Sequence, residues 1–236
     1  MWLYALLLFF SILVPGLLSF DKKLHFYTLW KWLFPSLFIV AAVYIAVDVW
    51  FTRLGIWGFN PAYHLPVLWL GLPVEEWLFF FVVPYASIFL HESIVLYFPQ
   101  WKLNHRISNI ISTVLMLFLL SIVFSHLKQA YTVYIFSFVV MALLWSFFDQ
   151  SHVIDRFYLT FLVILIPFIL VNATLTGSFV NRQEVWYNDS YNLGIRFMTI
   201  PIEDFGYAFS LILFNLLLMA TWRKQAQKRI VHSSSL

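Results

Sequence analysis

The sequence predicts an all-α integral membrane protein with seven transmembrane helices, arranged as two parallel three-helix repeats around a connector helix (3+1+3). Three observations lead to this class. Of the 236 residues, 62% are hydrophobic and only 11% are charged, whereas a soluble domain is nearer half apolar and a quarter charged. Several apolar runs reach the roughly 20 residues that a membrane-spanning helix needs. Finally, an acidic motif at the start of the third run recurs at the start of the seventh.

Seven apolar runs are predicted as spans. In chain order they are Trp2–Phe20, Leu33–Phe51, Pro73–Phe98, Ile107–Leu127, Tyr131–Phe148, Phe157–Thr176 and Thr199–Trp222. A shorter apolar stretch, Leu65–Leu72, is expected to lie at the interface or to re-enter the membrane before the third span. The first run is expected to be a retained helix rather than a signal peptide, because Lys22 and Lys23 follow it and no basic residue precedes it.

The positive charges predict the orientation in the cell membrane. Ten of the 14 Lys and Arg residues fall on the side of the C-terminal tail, and four fall on the other side. The positive-inside rule therefore predicts a cytoplasmic C-terminus and an N-terminus outside. The net charge of +3 then reflects topology and gives no reason to expect a nucleic-acid partner. The absence of cysteine excludes disulfides, thiolate metal sites and iron–sulfur clusters.

An internal repeat organises the chain. The span-end sequences around Asp21 and Asp149 are 128 positions apart, as are Glu75 and Glu203. We expect a first three-helix repeat over 1–99, a connector helix over 100–129, a second repeat over 130–222 and a basic cytoplasmic tail over 223–236. An odd connector helix leaves both repeats in the same orientation, and parallel repeats of this kind share a site at their interface.

The repeated motif is a proline, a branched aliphatic residue, two acids and an aromatic residue. Its two copies are Pro73-Val74-Glu75-Glu76-Trp77 and Pro201-Ile202-Glu203-Asp204-Phe205. A simple helix start explains one such motif, because proline suits the first helical position and acids complement the helix dipole. Recurrence beside apolar segments favours a functional role, since acids within a membrane are costly. Glu75, Glu76, Glu203 and Asp204 are therefore the candidate catalytic residues.

The motif residues suggest proton chemistry. Adjacent residues on a helix point about 100° apart, so only one acid of each pair is expected to face a cavity squarely. A buried carboxyl that keeps its proton is a general acid, and an ionised neighbour is a base. Aromatic rings nearby stabilise cations or line an apolar substrate site, although each ring taken alone is equally explained by packing. The candidate rings are Trp77, Phe79, Phe80, Phe205 and Tyr207.

Three other polar residues are secondary candidates. Asp48 lies close in sequence to Arg53, which favours a structural ion pair at the interface over catalysis. Asn172 is its approximate counterpart in the sixth span and is expected to donate an interhelical hydrogen bond. Arg196 precedes the second acid motif.

Several other chemistries lack their sequence motifs. There is no paired-histidine spacing for a di-iron site, no aspartate-rich box for magnesium and diphosphate and no GxGxxG after a strand. No predicted span contains a lysine that would form a Schiff base. The sequence thus shows no recognisable cofactor and no metal site.

With its duplicated three-span unit and its Pro-x-Glu-Glu/Asp motifs, the chain resembles the membrane-integral lycopene cyclases, in the form in which two homologous halves are fused. The resemblance extends over essentially the whole chain and includes Arg196, Thr199 and Pro201 before the second acid pair. It implies a carotenoid-biosynthesis isomerase that cyclises the linear end groups of lycopene, with β rings expected, without a redox step.

The resemblance also suggests roles and partners. A proton adds to the terminal double bond, the next double bond attacks the tertiary cation, and a ring proton is lost. We hypothesise that Glu75 or Glu203 is the acid and that a neighbouring carboxylate or basic group takes the ring proton. The expected partners are lycopene, the lipid bilayer and other enzymes of the pathway. The alternatives are another carotenoid end-group enzyme and a small 3+1+3 membrane transporter.

Overall fold

The computed structural model describes residues 2–233, and describes side chains through residue 228. This part of the chain contains seven α-helices, which confirms the all-α membrane class. They are α1 (Leu3–Leu18), α2 (Trp30–Arg53), α3 (Val74–Tyr97), α4 (His105–Ser125), α5 (Ala130–Phe148), α6 (Ile154–Leu175) and α7 (Ile202–Ser233). Six of them are long and apolar enough to cross a bilayer, and α1 is a shorter apolar helix of 16 residues.

The ends of α2 and α7 differ from the sequence prediction. A 3₁₀ helix, Phe26–Leu29, leads into α2, which therefore begins before Leu33. The last helix begins at Ile202 rather than Thr199, because the residues before it form a hairpin, and it continues past Trp222 to Ser233. The predicted tail over 223–236 is thus helical as far as Ser233, and its last three residues lie outside the described residues.

Short strands occupy the loops that precede α3 and α7. They are β1 (Trp57–Phe59), β2 (Leu68–Trp69), β3 (Leu72–Pro73), β4 (Val185–Tyr187), β5 (Arg196–Phe197) and β6 (Ile200–Pro201). The hairpin of β2 and β3 turns through Leu70 and Gly71, which have left-handed φ values of 52° and 93°. The apolar stretch Leu65–Leu72 therefore contains one strand and the turn of a hairpin that leads directly into α3.

The secondary structure recurs at the spacing found in the sequence. The hairpin β5–β6 lies 128 positions after β2–β3, with the same register. Strands β1 and β4 are also 128 positions apart, and they pair with each other antiparallel, Gly58 opposite Trp186. This pairing joins the two halves of the chain at the end of the helices where α3 and α7 begin.

Helix packing interlocks the halves. The most extensive contacts are α1 with α3 and α5 with α7, which are again equivalent in sequence. In addition, α2 packs across on α7 and α6 packs across on α3. Helix α4 packs on α5 and α6 and presents exposed apolar residues outward, among them Ile110, Val114 and Phe124.

Candidate active site

The first acid of each pair is bound to the loop that precedes its helix. The Leu65 N–H donates to Glu75 Oε1 at 2.7 Å, and the Leu193 N–H donates to Glu203 Oε1 at 2.8 Å. The two bonds span ten residues each and lie 128 positions apart. The Thr132 hydroxyl on α5 adds a second donor to Glu203 Oε1 at 2.6 Å. Both first acids are buried, at 1% and 0% exposure, and each holds a loop against its helix.

The second acid of each pair accepts from a tyrosine of another helix. The Tyr4 hydroxyl on α1 donates to Glu76 Oε2 at 2.5 Å, and the Tyr131 hydroxyl on α5 donates to Asp204 Oδ1 at 2.5 Å. These tyrosines occupy nearly equivalent positions, 127 residues apart. The sequence prediction did not include them, because twelve tyrosines are spread through the chain and the pairing becomes visible only after α1 packs on α3 and α5 packs on α7.

Asp204 has more donors than Glu76. The Tyr187 hydroxyl on β4 donates to Asp204 Oδ2 at 2.9 Å, and the Asn172 amide on α6 donates to the same oxygen at 3.1 Å. Asn172 is therefore an interhelical donor, as expected, and its acceptor is a candidate catalytic acid. Three donors stabilise a carboxylate more than one donor does, so the two second acids have different environments.

Glu76 and Asp204 line one small cavity of about 60 Å³. Asp48 lines it too, whereas Glu75 and Glu203 are not among its lining residues. The remaining lining residues are aromatic, aliphatic or, at one position, an amide: Tyr4, Trp57, Phe59, Phe79, Val83, Tyr131, Phe168, Asn172, Leu175, Val185, Tyr187, Tyr207, Ala208, Leu211 and Ile212. The second acids of two different helices thus converge on one largely apolar space, here called the acid pocket.

The predicted ion pair of Asp48 with Arg53 is wrong. The ion pairs of the described residues do not include it, and Arg53 is exposed. Asp48 is 3% exposed, lies beside the Trp57 indole and has one oxygen without a hydrogen-bond partner among the described residues. Five residues along a helix correspond to a rotation of about 140°, so Arg53 points away when Asp48 faces the acid pocket.

The predicted aromatic residues divide into two groups. Phe79 and Tyr207 line the acid pocket. Of the other three, Trp77 donates its indole N–H to the Trp69 carbonyl, Phe80 packs against the Tyr207 ring, and Phe205 packs against Phe168 and Phe197. Their positions indicate packing around the site.

Arg196 also lies outside the pocket lining. Its guanidinium donates to the Thr199 carbonyl at 2.9 Å and to Asp189 Oδ1 at 2.5 Å. These bonds connect the hairpin before α7 to the loop after β4, which indicates a structural role for Arg196.

One buried acid was not anticipated from the sequence. Glu184, in the loop before β4, is 0% exposed, and neither of its carboxyl oxygens has a hydrogen-bond partner among the described residues. Burial, together with the nearby charges of Glu75 and Glu76, raises the pKa of Glu184 to about 8. The repeated acid motif does not include Glu184, so no sequence signal distinguishes this residue.

A possible metal-ligand set lies elsewhere. His105, His152 and Asp155 bring one ligand atom each within 4.8 Å of one another, at the starts of α4 and α6. None of the three lines the acid pocket.

Comparisons with known proteins identify the family of the chain. A family model described as Lycopene cyclase matches residues 1–94 and again residues 128–222. The two matched regions cover most of the chain and leave out the residues around α4. No curated protein and no solved structure matched the chain. Because the family model matches well over half of the sequence, the chain belongs to the lycopene cyclase family.

Proposed function

We propose that this protein is a lycopene cyclase, an isomerase that closes the linear end groups of lycopene into β rings. The observation that carries the proposal is the convergence of Glu76 and Asp204 on one apolar cavity. A proton-initiated cyclisation needs an acid, a base and walls that do not react with a carbocation. The two carboxyl groups supply the first two, and rings such as Phe79 and Tyr207 supply walls that stabilise positive charge.

In this mechanism Glu76 donates the first proton. Among the described residues its one hydrogen-bond donor is Tyr4, and a carboxyl with few donors in an apolar site keeps its proton more readily. The proton adds to the terminal double bond, and the electrons of the next double bond close the ring on the resulting tertiary cation. Asp204, which three donors hold as a carboxylate, takes a ring proton. One proton enters and one leaves, so the product is an isomer of the substrate.

The enzyme is restored when a proton passes from Asp204 back to Glu76. Asp48 lies in the same cavity with one free oxygen and is a candidate to relay it. The ring type follows from which ring carbon loses its proton, and therefore from the position of the Asp204 carboxylate relative to the cation.

We assign Glu75 and Glu203 a positioning role, which revises the expectation that one of them is the acid. Each accepts a loop N–H and so fixes the start of the helix that carries the second acid. This arrangement explains why the motif needs two consecutive acids: one anchors the loop, and its neighbour, rotated by about 100°, faces the cavity.

The family and the apolar helices support a substrate that is held in the lipid phase. Lycopene dissolves in the bilayer, so it enters sideways between helices, and neighbouring enzymes of the carotenoid pathway are candidate partners for its delivery. We also propose that residues 1–99 and 130–222 are the two repeats, that 100–129 is the connector and that 223–236 is a cytoplasmic tail.

The proposed orientation has a direct test. The chain has no cysteine, so single cysteines are unique labels. We expect an impermeant maleimide to label Ser190→Cys, in an exposed loop near β4, on intact spheroplasts. Lys102→Cys, exposed between α3 and α4, should be labelled only after lysis, and the reverse pattern would invert the topology.

The function is tested by expressing the chain in a bacterium that accumulates lycopene and separating the pigments by chromatography. Conversion to a cyclised carotene supports the proposal, and the product identifies the ring type. Unchanged lycopene in cells with well-expressed, membrane-inserted protein would refute lycopene as the substrate. The same assay with other linear carotenoids would then test a different end-group enzyme.

A further inference from the structure

A second cavity adjoins the acid pocket. It has a volume of about 300 Å³ and lies among α1, α3, α6 and α7. Its lining is apolar except for three residues, Ser11, Ser87 and Asn172. Six residues line both this cavity and the acid pocket: Phe79, Val83, Phe168, Asn172, Ala208 and Ile212. The two spaces are therefore neighbours separated by shared side chains.

This cavity reaches the outer surface of the helix bundle. Two of its lining residues on α1, Phe10 and Val14, are 63% and 55% exposed. Pro15 and Pro167 also line it, on α1 and α6. We call this space, which runs from α1 and α6 inward to the acid pocket, the open groove.

The equivalent space in the other half of the chain is filled. Two small residues of the open groove, Ala86 and Ala208, correspond at the 128-residue spacing to Phe214 and Phe80. A chain of ring contacts occupies this region. Phe214 contacts Phe138 at 5.9 Å between ring centroids, Phe138 contacts Tyr44 at 5.3 Å, and Tyr44 contacts Phe80 at 6.4 Å.

The filled space is also fixed by a hydrogen bond. The Tyr44 hydroxyl donates to Ser210 Oγ at 2.8 Å, and Tyr44 and Phe80 are at most 1% exposed. The Tyr44 ring contacts Tyr207 at 5.1 Å, and Tyr207 is itself a wall of the acid pocket. The cluster of Tyr44, Phe80, Phe138 and Phe214 thus closes the approach to the acid pocket from that half.

We propose that the open groove binds the apolar chain of the substrate and that the aromatic cluster blocks the equivalent route in the other half. Binding is then one-sided, because the substrate reaches the acid pocket through the open groove only. The inference rests on the proposed function, because the occupant is a linear polyene whose end group reaches Glu76 and Asp204. The shared wall with the acid pocket and an apolar lining indicate this occupant, since burial of apolar surface drives its binding. Ala86 and Ala208 keep the groove open, and only one end group reaches the acids at a time.

One-sided binding has a consequence for the order of products. After the first ring forms, the molecule must leave the groove and return with its other end inward. A one-ring product therefore appears free in the membrane before the two-ring product accumulates. Two open grooves would allow both ends to be processed from a single bound molecule.

The test places a phenylalanine ring in the open groove, like the ring that fills the equivalent space in the other half of the chain. Ala86→Phe is the principal variant, because Ala86 is only partly buried and tolerates a larger side chain better than Ala208. We expect loss of cyclisation with unchanged expression and thermal midpoint. The matched control is Leu78→Phe, on the same helix at a position that is 50% exposed and lines neither cavity, and it should cyclise like the wild type.

A second variant covers the case in which Ala86→Phe fails to fold. Ala86→Cys adds a single thiol to a chain without cysteine. The purified variant should be active, should lose activity after reaction with a bulky apolar maleimide, and should be protected from that reagent by lycopene. Activity that survives complete labelling would overturn the proposal, as would wild-type rates for Ala86→Phe.

The outcomes separate this inference from the proposed function. A wild-type enzyme that leaves lycopene unchanged refutes the function. A wild-type enzyme that cyclises lycopene, together with an equally active Ala86→Phe, refutes only the open groove as the binding site. A time course in excess lycopene that yields two-ring product without free one-ring product refutes one-sided binding.

Discussion

Replacing Tyr4 by phenylalanine removes the hydroxyl that donates to Glu76 and leaves the ring in place. The hydroxyl donates to Glu76 Oε2 at 2.5 Å, and the residue is 1% exposed, packed with Leu8 and Leu175. Phenylalanine preserves these apolar contacts, so the change is confined to one hydrogen bond. In the proposed mechanism that bond strengthens during the reaction, because Glu76 begins as a neutral acid and ends as a carboxylate.

The expected loss follows from the difference between the two bonds. A hydrogen bond between neutral groups contributes about 0.5–1.5 kcal/mol and one to a charged group about 1.5–3 kcal/mol. The difference of about 1–1.5 kcal/mol, at 1.36 kcal/mol per factor of ten, predicts cyclisation roughly tenfold slower. The free energy of unfolding should fall by only about 1 kcal/mol, because the resting bond is the neutral one.

The assay is the initial rate of ring formation in lycopene-loaded membranes, measured by chromatography and normalised to protein. Tyr44→Phe is the control. It also removes a buried tyrosine hydroxyl, but that hydroxyl donates to Ser210 rather than to a carboxyl group. It should lose similar stability and keep its rate. A wild-type rate for Tyr4→Phe, or an equal loss in both variants, would refute the assignment of Glu76 as the proton donor.

Three further predictions concern residues around the acid pocket. Glu203→Leu removes the acceptor of the Leu193 N–H and should lower the free energy of unfolding by about 1–3 kcal/mol. Glu203→Gln keeps an acceptor oxygen and should lower it by less, and equal thermal midpoints for the two variants would refute the anchoring role. Folding raises the pKa of Glu184 from 4.5 to about 8 and so favours its neutral form. The free energy of unfolding should therefore fall as pH rises from about 4.5 to about 8 and level off above that range, and Glu184→Gln should abolish this pH dependence. A pH profile of the thermal midpoint that is the same in wild type and variant would contradict this prediction. Gly58→Ala places a methyl group in collision with the Trp186 ring. The pairing of β1 with β4 over the acid pocket should therefore loosen, and cyclisation should become slower. A wild-type rate would show that the pairing does not shape the pocket.

The sequence predicts much of this fold because the dominant interactions are local. Apolar runs of span length must form helices in a bilayer, and the predicted third span, Pro73–Phe98, differs from α3 by one residue at each end. Hairpins were not predicted, because Leu65–Leu72 is apolar throughout and has no alternation that distinguishes a strand from an interfacial segment. The pairing of β1 with β4 joins residues that are 126 to 130 positions apart, and no local pattern specifies it.

The candidate site could be predicted only in part, because some of its features are local in sequence and others depend on long-range packing. The repeat identifies all four acids, and helix geometry implies that the two acids of a pair point in different directions. Which acid faces the cavity depends on the loop amides of Leu65 and Leu193, and hence on long-range folding. Asp48 was paired with Arg53 on sequence proximity, but its direction is set by the packing of α2 on α7.

The most direct test of the central claim compares Glu76→Gln with Glu75→Gln in lycopene-accumulating cells. Glutamine keeps the size of the side chain and an acceptor oxygen for Tyr4 or Leu65, but it has no carboxyl proton to give. We expect that Glu76→Gln, although inserted and folded, leaves lycopene linear, while Glu75→Gln still forms rings. Cyclisation by Glu76→Gln at the wild-type rate would contradict it.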